Sequence, residues 1–246
     1  MGLPSLPPGP LNTWLSTWLS VLLRLVILAV LGGVAWYGLH ALPNSLNPFS
    51  PIELTDAPNA LTNVKLRILQ QRYEACIATI RRRGIDIERD RIVAKEPGCG
   101  TDEGIRLKRS LVSYGGSVET TCGLMAALLI WERHAVLPAS QRILGSPVTR
   151  VRTYGTYSCR NVNHASGGKR SEHASANAID IAGFDLADGR KISVAKDWGK
   201  DTDEGRFLSA VHDNACGVFN VVLGPEFNKL HANHFHFDMG IWSICR

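Results

Sequence analysis

Hydrophobic and polar positions divide the chain into unequal parts. From Trp18 to Leu42 the sequence WLSVLLRLVILAVLGGVAWYGLHAL is interrupted by a charge only at Arg24. Twenty-five residues at ~1.5 Å rise cover a bilayer core of ~30 Å with some tilt. The pattern predicts a short Pro-rich tail over 1–17, a transmembrane helix over 18–42, a linker over 43–62 and a folded domain over 63–246. In that domain Leu66, Leu69, Tyr73, Cys76, Ile77 and Ile80 recur at helical spacing within 63–83, and Gly84 ends the run. Residues 85–116 read as short strands and turns. VETTCGLMAALLIWERHAV (118–136) reads as a buried helix stopped by Pro138, and 203–215 as another helix. Strands are predicted at 147–158, 178–184, 191–195, 218–223 and 234–239. There is no internal repeat. The mixture predicts an α+β fold with a mainly antiparallel sheet flanked by helices, preceded by one transmembrane helix.

Charge sharpens the division. Residues 1–50 contain one charged side chain, Arg24, whereas the other 196 carry 26 Lys+Arg and 22 Asp+Glu, a net of +4. Trp14 and Trp18 at one end of the apolar run, and Trp36 and Tyr37 near the other, suit membrane interfaces. Arg24 and the amino terminus put positive charge on the N-terminal flank, which predicts N-inside, C-outside. A cleaved signal peptide is the other reading. The apolar run is longer than a usual signal core and no clean A-x-A site follows, so an uncleaved anchor is favoured. With 45% hydrophobic residues, disorder as the main state is excluded. A single spanning stretch excludes a multi-span protein.

Cys76, Cys99, Cys122, Cys159, Cys216 and Cys245 all lie beyond the apolar run. An even number there predicts disulfides in an oxidising compartment, and the absence of C-x-x-C argues against a four-thiolate zinc site. Six cysteines allow 15 connectivities. Pairing neighbours in order gives 76–99, 122–159 and 216–245, but sequence does not choose. Arg81-Arg82-Arg83 reads as a solvated helix end favoured by the dipole. The mild positive charge suits anionic wall polymers or lipid headgroups, and a nucleic-acid partner is not expected.

Four of the eight histidines fall in two windows, SEHASANAID (171–180) and HANHFHFD (231–238). Side chains alternate faces along a strand. His234, His236 and Asp238 therefore share one face and Phe235 and Phe237 the other. Asp180 likewise stands opposite Ile179 and Ile181. If the two strands are near each other, Asp180, His234 and His236 line one cleft floor and His173 closes over it. Neutral imidazole and carboxylate oxygen are zinc donors, and three protein ligands with an open fourth position form a catalytic site. His134 and His212 lie in helical patterns and read as structural, and His164, near the motif, reads either as a substrate contact or as an exposed loop residue. G-x-S-x-G, P-loop and dinucleotide fingerprints are absent.

The pattern S-x-H-x6-D followed by H-x-H resembles the peptidoglycan metallopeptidases, the D-alanyl-D-alanine carboxypeptidases and dipeptidases and the murein endopeptidases, whose fold the hedgehog domain shares. SEHASANAIDIAGF, VVLGPEFN and HANHFHFD, over roughly residues 60–246, look like the bacterial extensin-like C-terminal domain family. The resemblance implies zinc ligands His173, Asp180 and His236. It implies His234 as catalytic base, His231 as an additional active-site residue, Ser171 as a residue orienting the His173 loop or substrate, and Arg160 as a substrate or oxyanion contact. Two positions depart from the peptidases: Ala176 stands where Gly is frequent, and Asn233 where the carboxypeptidases have a Glu base. The implied protein is a zinc-dependent peptidase or amidase acting on peptidoglycan peptides, held in the inner membrane with a cytoplasmic N-terminus and a periplasmic domain. The alternative is a non-catalytic wall-binding or envelope-organising domain with a structural or vestigial zinc.

Overall fold

The computed structural model describes residues 10–246 except Lys95. The chain divides into two compact units, Met1–Asn47 and Pro48–Arg246.

The first unit is built on helix α1 (Pro10–Ala41). Its stretch Trp14–Ala41 is long and apolar enough for a membrane anchor or a signal sequence. The helix starts well before Trp18, so residues 10–17 of the expected tail are helical. Proline is tolerated at a first helical position, where a missing N–H loses no partner. The rest of the expected tail, residues 1–9, lies outside the described residues.

The second unit starts inside the expected linker, where Ile52 and Leu54 are buried in the core. Apolar side chains in a Pro-rich stretch gain more by docking than by staying in water. The helix expected over 63–83 is two helices, α2 (Thr62–Gln70) and α3 (Tyr73–Arg81). Arg72, at φ −124° and ψ 71°, breaks the run between them. Both pack on α4 (Cys122–Trp131), which is buried along its whole length. Thr121 caps α4, its hydroxyl accepting the Leu124 N–H at 3.3 Å. Pro138 does not stop this helix. It continues through π-turns at Glu132–Val136 and Ser140–Leu144 to Gly145. The Leu137 N–H donates to the Glu132 carbonyl, a five-residue step, and such widened turns accommodate a proline inside a helix. Gly145 takes φ +65°, a left-handed end that favours glycine.

The unit holds two sheets. β1 (Asp86–Ile92), β2 (Thr101–Arg109) and β3 (Val118–Thr121) form an antiparallel three-stranded sheet. The other has the order β4-β5-β8-β7-β9, with β6 also on β5. Its strands are β4 (Val148–Gly155), β5 (Ala178–Leu186), β6 (Lys191–Ser193), β7 (Val221–Leu223), β8 (Phe235–Asp238) and β9 (Ile244–Cys245). Pairing is antiparallel except for β7 with β9. The helix Asp203–Ala215 forms where its pattern places it.

β5 and β8 position the site. Ile179, Ile181, Phe235 and Phe237 are fully buried on the core face, each contributing ~1.5–3 kcal/mol. Trp131 packs edge-on against Phe237 and donates its indole N–H to the Val211 carbonyl at 2.8 Å. Register then places Asp180 opposite His236 on the other face.

All six cysteines are paired, as Cys76–Cys122, Cys99–Cys159 and Cys216–Cys245. Only the last follows neighbour order. The side-by-side packing of α3 and α4 brings Cys76 to Cys122. The turn after β1 instead carries Cys99 to the loop after β4, where Cys159 lies.

Candidate metal centre

His173 reaches the sheet from a 3-10 turn, Glu172–Ser175. Ser171 caps that turn, its hydroxyl accepting the His173 N–H at 3.4 Å. The turn closes at Ala176, which takes the left-handed φ of +54°. An alanine thus holds a conformation that favours glycine, at a cost of ~1 kcal/mol or more. Asn177 secures the closure. Its amide donates to Glu172 Oε2 at 2.8 Å, and its oxygen accepts from Thr121 at 2.8 Å.

Three donor atoms converge. His173 Nε2 lies 3.1 Å from Asp180 Oδ1 and 3.1 Å from His236 Nδ1, and His236 Nδ1 lies 2.9 Å from Asp180 Oδ1. Ligands of a tetrahedral zinc stand roughly 3.3 Å apart, given ~2.0–2.1 Å bonds. The donor set thus fits a zinc-sized cation. The outer nitrogens are occupied: His173 Nδ1 lies 3.1 Å from the Thr156 carbonyl, and His236 Nε2 3.1 Å from Asp238 Oδ2. Tying the far nitrogen of a histidine in this way is the habit of metal ligands.

The electrostatics favour positive charge at the centre. Burial opposes ionisation of Asp180, but hydrogen bonds from His173, His234 and His236 outweigh it and hold the carboxyl far below the usual range. Burial likewise opposes charge on His236, yet its bonds to Asp180 and Asp238 raise it to about 9. A divalent cation would replace that proton.

The remaining predicted residues surround this set. His234 precedes β8, and its Nε2 is 3.4 Å from Asp180 Oδ1. Its Nδ1 faces Asn233 Oδ1 at 2.8 Å, and its ring meets Tyr154 edge-on. His234 is not part of the three-donor group. His231 ends a 3-10 turn, Lys229–His231, with Nδ1 2.8 Å from Asn228 Oδ1. Burial, then the adjacent His236 and His234, lower it to about 4, so it is neutral at pH 7. Arg160 Nη2 is 3.8 Å from Asp180 Oδ2, and Cys159 beside it is fixed by the bond to Cys99. His164 lines the same cleft. His212 is buried among Trp198 and Phe235, and His134 lies in the α4 extension.

The cleft measures about 500 Å³, and its lining mixes the cations Arg160, Lys169 and Arg170 with the apolar Phe227, Leu230 and Trp242. Lys169 Nζ lies over the Trp242 ring, 5.6 Å from its centroid. Asp238 and the Thr156 carbonyl are the contributors that the motifs did not single out for a role. The i, i+2 spacing of His236 and Asp238 on one strand face was the available signal for the first. A carbonyl in a loop leaves none for the second.

A mixed α+β unit that gathers two imidazoles and a carboxylate on one sheet face defines a candidate metal-binding domain. The chain belongs to the extensin-like family: the family model described as Extensin-like protein C-terminus matches residues 74–246. Comparison with curated proteins and with solved structures gives no match.

Proposed function

We propose that this protein is a membrane-anchored, zinc-dependent peptidase or amidase acting on peptidoglycan peptides. In this reading the apolar helix is an uncleaved anchor in the inner membrane, with its N-terminus in the cytoplasm and the second unit in the periplasm. The carrying observation is the convergence of His173, Asp180 and His236 in a cleft, with both outer imidazole nitrogens occupied. The sequence pattern S-x-H-x6-D followed by H-x-H, which resembles that of the D-alanyl-D-alanine peptidases, supports the same reading.

His173 Nε2, Asp180 and His236 Nδ1 would hold the zinc. Bound zinc supplies Lewis-acid polarisation of a carbonyl and activation of water. His234, beside the donor set rather than in it, takes the proton of the attacking water and returns it to the departing nitrogen. Its bond to Asn233 Oδ1 directs Nε2 toward the reaction centre. Arg160 offers a planar cation to a carboxylate or a developing oxyanion. Phe227, Leu230 and Trp242 offer exposed apolar surface in the same cleft to an aliphatic part of the substrate. Ser171 keeps the His173 turn closed.

Zinc-loaded full-length protein in detergent, incubated with sacculi or cross-linked muropeptides, is expected to release new amine-ended fragments. Chelation or His234→Ala should stop release, with zinc retained by the His234→Ala chain. Zinc-loaded protein that binds sacculi and leaves every muropeptide intact overturns the enzymatic reading in favour of a wall-binding domain.

A further inference from the structure

His236 stands between two carboxylates, with Nδ1 at Asp180 and Nε2 at Asp238. Asp238 is only 6% exposed, and both its oxygens are engaged. Oδ2 faces His236, and Oδ1 accepts the Gly240 N–H at 2.8 Å. Gly240 lies so close to Glu172 that an added Cβ would sit 2.7 Å from Glu172 Oε1. Asn220 holds the same turn from outside, donating its amide to the Gly240 carbonyl at 2.7 Å. The carboxylate therefore has one place to point.

A neutral imidazole has one N–H, and a carboxylate only accepts. Where a cation takes the place of the proton between Nδ1 and Asp180, Asp238 calls for the remaining proton on His236 Nε2, and Nδ1 presents its lone pair beside His173 and Asp180. We propose that Asp238 is a positioning residue that fixes the tautomer of His236, so that Nδ1 is the metal-binding atom. The inference rests on the zinc reading above and deepens it. On His173 the corresponding role falls to the Thr156 main chain, which substitution does not remove. Asp238 is the point where a side-chain change tests this second shell.

A merely structural Asp238, closing the turn at Gly240, predicts something different. Asparagine has the same shape, and its Oδ1 retains the Gly240 N–H. Its amide nitrogen then donates to His236 Nε2. That moves the ring proton to Nδ1, into the donor set, where the lone pair is needed. Alanine removes the acceptor but imposes no tautomer. Tautomer control therefore predicts that Asn harms zinc binding more than Ala, whereas a structural role predicts that Asn is the milder change.

The experiment measures zinc affinity of the full-length chain in detergent by competition with a chromophoric chelator, for wild type, Asp238→Asn and Asp238→Ala. Expected is a loss of about 10–100-fold for Asp238→Asn, exceeding that of Asp238→Ala. Wild-type affinity in Asp238→Asn, or a larger loss in Asp238→Ala, overturns the assignment. Should the Asn chain not fold, nitrogen NMR of the wild-type, zinc-loaded ring decides instead. A protonated Nε2 with Nδ1 on the metal is expected, and the reverse overturns the assignment. Wild type that binds no zinc overturns both this inference and the zinc reading. Wild type that binds zinc in the expected order of variants, yet cuts nothing, removes the peptidase reading alone.

Discussion

On the three-stranded sheet, charges pair in solvent: Arg91 with Asp102 at 2.6 Å, and Arg106 with Asp90 at 3.0 Å and Glu119 at 2.9 Å. On the six-stranded sheet, Asp180, His236 and Asp238 are drawn into the protein and each contacts the next. Exposed pairs lose little when separated, because water and salt replace the partner. A buried set loses a great deal, because any member left alone is an unpaired charge in a poor solvent. The first arrangement is a solvated surface. The second offsets its desolvation cost through its mutual hydrogen bonds, and a bound cation would offset it further. The two sheets nevertheless cooperate. Thr156, whose carbonyl faces His173, donates its hydroxyl to the Glu119 carbonyl of β3. Thr121 of β3 donates its N–H to Ala176 at the turn's end. The solvated sheet is the buttress of the buried site.

The contrast breaks most sharply at the donors. Asp180→Ala should reduce zinc affinity beyond the ~10–100-fold typical of losing an outer-shell partner, as read by chelator competition, while the metal-free chain stays folded by circular dichroism. Next in size is Glu132, fully buried in the core. Burial opposes its charge more than Tyr114 and Ser110 support it, so it is raised from the ordinary 4.5 to about 7. A carboxyl raised in the folded state gives its full contribution at low pH and loses it as pH climbs through about 7. The difference is about 3 kcal/mol, at ~1.4 kcal/mol per pH unit. Glu132→Gln should flatten that decline between pH 4.5 and 7.5 in denaturant titrations. An unchanged slope would remove this reading of Glu132.

Of similar or smaller size is the Cys99–Cys159 brace. Replacing both cysteines by serine should cost about 2–4 kcal/mol in denaturant unfolding, and should weaken zinc binding too, because Gly100 also holds the Ala174 carbonyl at 2.7 Å. At the bottom of the scale, Lys108→Ala on the solvated sheet should leave the melting temperature and zinc affinity unchanged. A clear drop in either would show that the two sheets do not differ as described.

Much of this contrast could be read along the chain. Period-two alternation in AIDIAGF and HFHFD separates core-facing Ile179, Ile181, Phe235 and Phe237 from the polar face, and the structure keeps that separation. Local rules reach local features, such as the helix Asp203–Ala215. They do not reach the continuation of α4 past Pro138, which depends on π-turns, or the break at Arg72. They do not reach two of the three disulfides, since pairing depends on which elements lie side by side. The Thr156 carbonyl belongs to the same class: a main-chain atom from a loop becomes part of the site only after the two sheets are assembled.

The central claim is that the buried His173–Asp180–His236 set is a zinc centre. Zinc content and affinity of the full-length protein, purified in detergent without added metal and compared with Asp180→Ala, test it most directly. The account predicts one tightly held zinc per wild-type chain and none in the variant. A folded wild-type chain that takes up no zinc, or an Asp180→Ala chain that holds it equally well, would contradict it.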